Sequence, residues 1–562
     1  MNTAESQTAR PAVERAVTKY PPDQGNEVKS ENNDVSESSQ SDEKPEPIID
    51  AEPTEEWVQG FKLFMIISGL IFGTFLMLLD TSIIATAIPR ITTDFHALED
   101  VGWYGASYQL ASAALQPLTG KFYTHFGGKW TFLAFFAVFE LGSLLCGVAN
   151  SSNMLIAGRA IAGMGASGIQ NGAFTIVAQS VPLHKGPPLM GLVLGISQLG
   201  LVMGPLIGGA LTEYTTWRWC FYINLPVGAV VAVLLVFVKL PGTVKVPSWR
   251  TVVTDLDLLG FTLFAPAMIQ LLLALQYGGN RHAWDSATVI GLFCGAAGTF
   301  AIFLWWEYRK GDEAMIPFSI IGKRVVYSAC IAFGLLLSAT YVALYYIPIF
   351  FQSVKGTSPT MSGVYLLPSI LLQLSGAIVV GALVPKVGYF TPFAIVGGAL
   401  CAIASGLLST FDVSISTGKW VGYQILLGAG EGMALQMPVI AVQNCITPAQ
   451  IPTAMALVMF SSTLGGALFL SFSQTVLTNS LRSLIPQYAP NVNAEAIIAA
   501  GATGFRHIVP SSDLPGVLVA YSKSIDRVFY LCAGASAGVF FASFGMGWKN
   551  IKPKKEVAEV DV

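Results

Sequence analysis

The strongest constraint on this chain is a series of long apolar stretches that starts at Phe61 and recurs almost to the C-terminus. Each stretch can form a helix of about 20 residues, the length needed to cross a bilayer core of about 30 Å. The stretches are continuously apolar, whereas the strands of a membrane barrel alternate between apolar and polar residues. The fourteen predicted spans are residues 61–88, 101–119, 131–149, 154–180, 187–212, 221–238, 257–276, 286–306, 325–352, 361–384, 388–408, 420–440, 452–479 and 527–548.

Composition supports an all-α integral membrane protein that lies in a lipid bilayer. Hydrophobic residues make up 53% of the chain and charged residues 12%, against about 25% charged in soluble domains. Residues 1–56 differ, with fourteen acidic and five basic residues, and they cannot bury enough apolar surface to fold. We therefore predict a disordered acidic tail. The remaining chain has no Lys- or Arg-rich block, so we expect no nucleic-acid partner.

The charges of the loops predict the orientation. With these spans, eleven Lys and Arg residues lie in loops on the side of the N-terminus and five in the opposite loops. Positive residues are retained in the cytosol, so both termini are predicted to be cytosolic. The long segment 480–526 is then non-cytosolic, and its sequence AEAIIAAGATGF predicts a short interfacial helix.

Ionisable side chains inside the predicted spans are scarce. Away from the span ends they are Asp80, Glu140, Arg159 and Glu431. A charge at the bilayer centre costs about 2.5 to 3.5 kcal/mol, so each is a candidate functional group. Asp80 and Glu431 are the predicted proton-carrying carboxylates and Arg159 a modulator of Asp80, although the sequence leaves open whether Asp80 and Arg159 touch. Glu140 is equally explained as a hydrogen-bonded acid that joins two helices.

The sequence contains none of the catalytic motifs that would indicate an enzyme. A phosphate-binding loop of the G-x-x-x-x-G-K-[ST] type is absent, and so is a G-x-S-x-G nucleophile motif. The five histidines never share metal-ligand spacing, and the seven cysteines are scattered singly. We therefore expect no enzyme activity, no metal and no cofactor.

Small residues mark one face of the fifth predicted span. In GISQLGLVMGPLIGGAL, Gly200, Gly204 and Gly208 are four residues apart, which permits close contact between helices, and Pro205 removes a backbone donor. Together with Gly209, these residues resemble the antiporter motif of the major facilitator superfamily.

Other segments extend the resemblance to the fourteen-helix drug:proton antiporter branch over roughly residues 57–548. LDTSIIATAIP, which contains Asp80, is similar to the first-helix signature of that branch, and Arg159 with Gly163 matches part of R-x-x-Q-G. WRWCFYINLPVG is similar to the signature that enters helix 6, and AIIAAGATGFRHIVP with AYSKSIDRVFYL resembles the end of fungal toxin and multidrug efflux members.

The cytosolic loop motif of the family is only partly present. GKFYTHFGGKW resembles G-x-L-A-D-R-x-G-R-K and keeps Gly120, Gly127 and Lys129. Thr124 replaces the acid, so another contact must hold this loop.

The resemblance implies a major facilitator fold with two six-helix bundles joined through two additional helices. The expected boundaries are a tail at 1–56, a first bundle at 57–239, a linker with two helices at 240–324, a second bundle at 325–549 with the loop 480–526, and a tail at 550–562. Substrate is expected between the bundles. The candidate substrate-binding residues are polar side chains of the predicted spans: Gln170, Asn171, Gln198, Tyr341, Tyr345, Gln373 and Gln436.

The function implied is proton-driven export of small amphipathic toxins, drugs or secondary metabolites by a monomer in the plasma membrane or, alternatively, the vacuolar membrane. An uptake carrier for a nutrient or siderophore remains an alternative, as does a membrane sensor that transports nothing.

Overall fold

The computed structural model describes residues 57–95, 101–182, 185–238, 256–278 and 282–551. The predicted acidic tail at 1–56 lies outside the described residues, as do residues 552–562 of the C-terminal tail. The described part is helical and contains no β-strand. Its long helices are α1 (Gly60–Phe95), α2 (Val101–Phe126), α3 (Gly128–Gly147), α4 (Ser152–Ser180), α5 (Gly186–Tyr214), α6 (Asn224–Val236), α7 (Leu258–Tyr277), α8 (Ala287–Lys310), α9 (Arg324–Ser353), α10 (Leu367–Val387), α11 (Thr391–Leu408), α12 (Thr417–Ala434), α13 (Ile451–Tyr488) and α14 (Leu514–Ser543).

Shorter helices join them. They are Trp219–Tyr222 before α6, Phe318–Ile321 before α9, Pro359–Val364 before α10, Met437–Cys445 after α12, and Ala494–Ile508 between α13 and α14. We call Ala494–Ile508 the loop helix. It confirms helical structure over AEAIIAAGATGF, but the helix is kinked at Gly501, which has a φ of 73°.

Twelve helical segments of the described residues are long and apolar enough to cross a membrane. Helices α2 and α4 are not among them, although they have 26 and 29 residues. Both are rich in small and polar residues, and they pack against each other and against neighbouring helices. Protein contacts replace lipid contacts there, which explains why their hydropathy is lower.

The predicted ends of several spans are wrong. Helix α13 continues to Tyr488 and α14 begins at Leu514, so much of segment 480–526 is helical. The apolar stretches on which the two predictions rested stop near Arg482 and Asp526. The helices continue past these charged residues, because backbone hydrogen bonding does not depend on side-chain hydropathy. The predicted span 420–440 is broken after Ala434, before Pro438, which has no N–H to donate to a carbonyl one turn earlier.

Two groups of helices carry the tertiary contacts. Helices α1–α6 pack mainly on one another, and so do α9–α14. Helices α7 and α8 pair and reach α2 and α13 through α7. The groups meet where α5 packs on α10 and α2 packs on α13.

We name the two ends of the bundle by the first helix. The proximal end carries the start of α1, where the Val58 backbone N–H donates to the carbonyl oxygen of Ser180 at 3.0 Å, at the end of α4. The distal end carries the start of α4, where Arg218 donates to the carbonyl oxygen of Ala149 at 2.9 Å. Successive long helices run in opposite directions between these ends.

Candidate functional site

A central cavity of about 380 Å³ lies between the two helix groups. Its walls come from α1, α2, α4, α5, α7, α9 and α13. Aliphatic side chains such as Met77 and Leu201 alternate there with polar ones such as Thr81 and Gln109. A largely apolar wall with a few hydrogen-bonding groups is typical of sites for small amphipathic molecules.

The structure brings Asp80 and Arg159 together at this cavity. Nη1 of Arg159 donates to Oδ2 of Asp80 at 2.5 Å, and Nε donates to the carbonyl oxygen of Tyr104 at 2.9 Å. The side chains of Asp80 and Arg159 are 0% and 1% exposed, and Arg159 lies among the cavity-lining residues. The guanidinium carbon lies 4.4 Å from the centre of the Tyr108 ring. Arg159 of this buried pair therefore forms part of the cavity wall, while its partner Asp80 lies outside the lining.

Asn224 joins this pair to α3, and the sequence analysis missed it. Its Nδ2 donates to Oδ1 of Asp80 at 3.3 Å and to Oγ of Ser143 at 3.0 Å. Asn224 is the first residue of α6, and its side chain is buried. An amide followed by Leu-Pro at the entry of an apolar stretch was the available signal.

Glu140 lies beside the same network. It is one turn from Ser143 on α3, and a Cβ atom at Gly228 would collide with its carboxyl group. Neither carboxyl oxygen has a hydrogen-bond partner among the described residues. The sequence analysis offered Glu140 as a hydrogen-bonded acid that joins two helices. The described part of the chain contains no hydrogen-bond partner for its carboxyl group.

Glu431 is buried elsewhere, in the second helix group. Its side chain is 4% exposed, and the hydroxyl of the nearby Thr340 on α9 donates to the carbonyl oxygen of Leu336 at 3.0 Å. Glycines around it permit close contact between helices: Gly428 meets the Ser369 backbone, and Gly432 meets the Gln373 carbonyl oxygen. Glu431 does not line the central cavity.

Three of the seven predicted substrate-binding residues line the cavity: Gln170, Tyr341 and Tyr345. Gln170 accepts a hydrogen bond from Gln116 at 3.3 Å, and Gln116 in turn accepts one from Thr463 at 3.0 Å. These hydrogen bonds link α4, α2 and α13 beside the cavity, and Gln116 itself lies outside the lining.

The other four lie outside its lining. Asn171 donates to Thr119 at 3.0 Å and to the carbonyl oxygen of Pro452 at 3.4 Å, on the proximal side. Gln436 donates to the carbonyl oxygen of Ala377 at 2.6 Å, Gln373 is buried, and Gln198 is half-buried. Asn171 and Gln436 thus hold helices together.

The antiporter-motif glycines lie against α1. A Cβ atom at Gly200 would overlap the Phe75 carbonyl oxygen, at Gly204 the Ser82 side chain, and at Gly208 the Ile83 carbonyl oxygen. The predicted close contact is therefore real at these three positions. Gly209 faces open space, and Pro205 is exposed within a helix that continues to Tyr214.

The loop-motif residues show which contacts replace the missing acid. Lys129 donates to the carbonyl oxygens of Val236 at 2.6 Å and Val238 at 2.7 Å, which ties α3 to the end of α6. Gly120 lies against the backbone of Pro452 and Thr453, so α2 approaches α13 closely. Gly127 has a φ of 76°, which suits glycine at the turn into α3. Thr124 donates to the carbonyl oxygen of Gly120 in its own helix at 2.9 Å.

Contacts at the proximal end close the cavity on that side. Besides the contact of Gly120 with α13, Gly381 of α10 lies against the backbone of Pro187 and Pro188 at the start of α5. The cavity instead extends towards the distal end, where Gly105 and Ser471 line it.

Comparison with known proteins identifies the class to which this fold and cavity belong. Residues 70–470 match the family model of the Major Facilitator Superfamily. The chain belongs to this family and is a multi-pass membrane transporter rather than an enzyme.

Curated relatives cover nearly the whole chain. The chain is 60% identical over 500 residues to the MFS-type transporter pigP of Monascus ruber, which covers 88% of each protein. It is 47% identical over 534 residues to the efflux pump mlcE of Penicillium citrinum, covering 93% of this chain and 97% of that protein.

Solved structures resemble the fold. The proton:xylose symporter XylE bound to 6-bromo-6-deoxy-D-glucose matches with a TM-score of 0.54 at 16% identity, covering 87% of this chain and 97% of that one. The human organic anion transporter MFSD10 matches with a TM-score of 0.52 at 13% identity, covering 84% and 100%.

Proposed function

We propose that this protein is a proton-coupled antiporter that exports amphipathic toxins, drugs or secondary metabolites. The buried Asp80–Arg159 pair, whose arginine lines the cavity, is the observation that carries the proposal. Relatives named efflux pumps support the direction of transport.

The pair offers a physical route for coupling. A proton on Asp80 removes the negative charge that faces Nη1 of Arg159. Arg159 then keeps the Tyr104 carbonyl oxygen and the Tyr108 ring as neighbours, and its charge becomes available to the cavity. Protonation of Asp80 thereby changes the charge that the cavity wall presents to the substrate, and antiport requires that the protonated form binds the substrate more weakly. Glu431 is proposed as a second proton-carrying carboxylate, and no cofactor is needed.

The proposed topology has fourteen spans with both termini in the cytosol. The added spans beyond the twelve apolar ones are α2 and α4, and α7 and α8 are the two additional helices between bundles. The proximal end is then cytosolic. The closed proximal contacts and the distally extended cavity correspond to an outward-facing state of alternating access. We expect a monomer in the plasma membrane.

The decisive experiment measures flux in proteoliposomes that contain only this protein. Vesicles are loaded with labelled amphipathic toxins, with and without an imposed pH gradient. Gradient-driven movement that collapses with a proton ionophore is the expected result. Movement of substrate in the same direction as protons would favour the uptake carrier, and no flux across a broad panel would favour the sensor.

Asp80→Asn tests the coupling residue itself. We expect loss of gradient-driven export with the protein still present at the membrane, because asparagine imitates a carboxyl group that never releases its proton. Asp94→Asn is the matched control, since Asp94 lies on the same helix but is exposed and pairs with Arg90 instead of Arg159. An unchanged proton-to-substrate ratio in Asp80→Asn would remove Asp80 from the mechanism.

A further inference from the structure

A second cavity of about 220 Å³ adjoins the central cavity on its distal side. The two share Leu275, Leu470 and Ser471 in their linings. A molecule that leaves the central cavity distally therefore meets this second cavity next. We call it the distal slot, and the proposed coupling mechanism does not use it.

One wall of the distal slot is a polar face of α13. The lining residues on this wall are Ser471, Gln474, Thr475, Thr478, Asn479 and Arg482. Their spacing places them along one side of the helix, since residues three or four apart are neighbours there. This polar stripe lies on a helix that otherwise spans the membrane with an apolar sequence.

The facing wall is apolar and aromatic, and its main element is Trp284. The ring of Trp284 lies so close to Gly278 that a Cβ atom there would overlap it. It also stacks on Phe293, with ring centres 6.4 Å apart and an angle of 19° between the planes. Contacts on these sides hold the indole in position, and its side chain keeps 38% of its surface exposed. The slot thus offers a positioned flat ring opposite a row of hydrogen-bonding groups.

Arg482 lies at the distal end of the slot, and some of its N–H groups are not used by its hydrogen bonds to the protein. Its Nε donates to Oε1 of Glu495 at 2.7 Å, Nη2 to Oε2 of Glu495 at 3.4 Å, and Nη1 to Oδ1 of Asn479 at 3.3 Å. A guanidinium carries five N–H groups. Glu495 of the loop helix therefore fixes the orientation of the guanidinium while two N–H groups remain for an acceptor.

We propose that the distal slot is a second binding site, which takes a planar conjugated molecule bearing acceptor oxygens such as a carboxylate or carbonyl. The planar part stacks on Trp284, and the oxygens accept hydrogen bonds from Arg482 and the amides of α13. The inference rests on the proposed export function, because it places the slot after the central cavity on the way out.

The test is binding rather than transport. Full-length protein in phosphatidylcholine nanodiscs is dialysed against radiolabelled 2-naphthoate, with 2-naphthylmethylammonium as a probe that has the same ring and no acceptor oxygen. We expect the wild type to bind 2-naphthoate at least about tenfold more tightly, since a hydrogen bond to a charged group contributes about a factor of ten or more. Arg482→Gln closes this gap, and Trp284→Ala weakens binding of both probes.

Matched controls use the same residue types outside both cavities. Arg309 lies over the Trp305 ring at 4.9 Å on α8, and neither residue lines the central cavity or the distal slot. Trp305→Ala and Arg309→Gln should therefore bind both probes like the wild type. If Arg482→Gln fails to fold, Trp284→Ala still decides, because it leaves the Arg482–Glu495 pair intact.

Either of two results would overturn the inference. One is equal affinity of the wild type for the two probes, and the other is unchanged 2-naphthoate binding in both slot variants. Proteoliposome flux separates this inference from the proposed function. If the slot binds 2-naphthoate but the protein shows no gradient-driven flux, the antiporter alone is refuted. If gradient-driven flux occurs but Arg482→Gln and Trp284→Ala leave 2-naphthoate binding unchanged, the slot alone is refuted.

Discussion

Replacing Arg159 by methionine should destabilise the protein strongly. The carboxylate of Asp80 is 0% exposed, and among the described residues it would keep only the 3.3 Å hydrogen bond from Asn224. Removing one partner of a buried ion pair costs about 3 to 5 kcal/mol, because the other charge stays buried without compensation. We expect a loss of this size in the free energy of unfolding.

The assay is a double-mutant cycle, read by denaturant unfolding of the purified protein in micelles. The double variant Asp80→Leu with Arg159→Met should recover most of the loss, since two apolar side chains can replace a buried pair at little cost. The exposed pair Arg90–Asp94 is the control, with side chains 66% and 36% exposed and a separation of 3.7 Å. Arg90→Met should cost less than about 1 kcal/mol. Equal losses for Arg159→Met and Arg90→Met would refute the reasoning.

Two further predictions concern packing and pH. Gly204→Ala should cost about 1 to 3 kcal/mol of unfolding free energy, because the new Cβ would overlap Ser82, whereas Gly209→Ala meets nothing within 4 Å and should be nearly neutral. The hydrogen bond from Arg482 lowers the pKa of Glu495 below its ordinary value of 4.5. This contact therefore stabilises the loop helix at neutral pH and is lost as pH falls through the lowered pKa. Amide hydrogen exchange of the loop helix, corrected for intrinsic rates, should show protection falling below pH 4.5 in the wild type but not in Glu495→Gln.

Charge scarcity explains why the sequence analysis found much of the site. Asp80 and Arg159 stood out because few ionisable side chains occur in the apolar stretches. Asn224 did not stand out, because a neutral amide is unremarkable in a membrane helix. The sequence analysis also did not recognise that Glu307 is buried and Asp526 half-buried. Each lies one residue outside a predicted span, so neither was counted among the ionisable groups in the membrane.

The sequence by itself determined the helices, the class of protein and the small-residue face on α5. These depend on local hydropathy and residue size, which need no knowledge of distant neighbours. Only the tertiary structure decided which groups meet. Asp80 and Arg159 are 79 residues apart in the chain. Gln170 lines the cavity, while Asn171 binds the carbonyl oxygen of Pro452. Successive residues of an α-helix turn by about 100°, so adjacent polar side chains serve different surfaces, and only the packing of neighbouring helices determines which surface encloses a cavity.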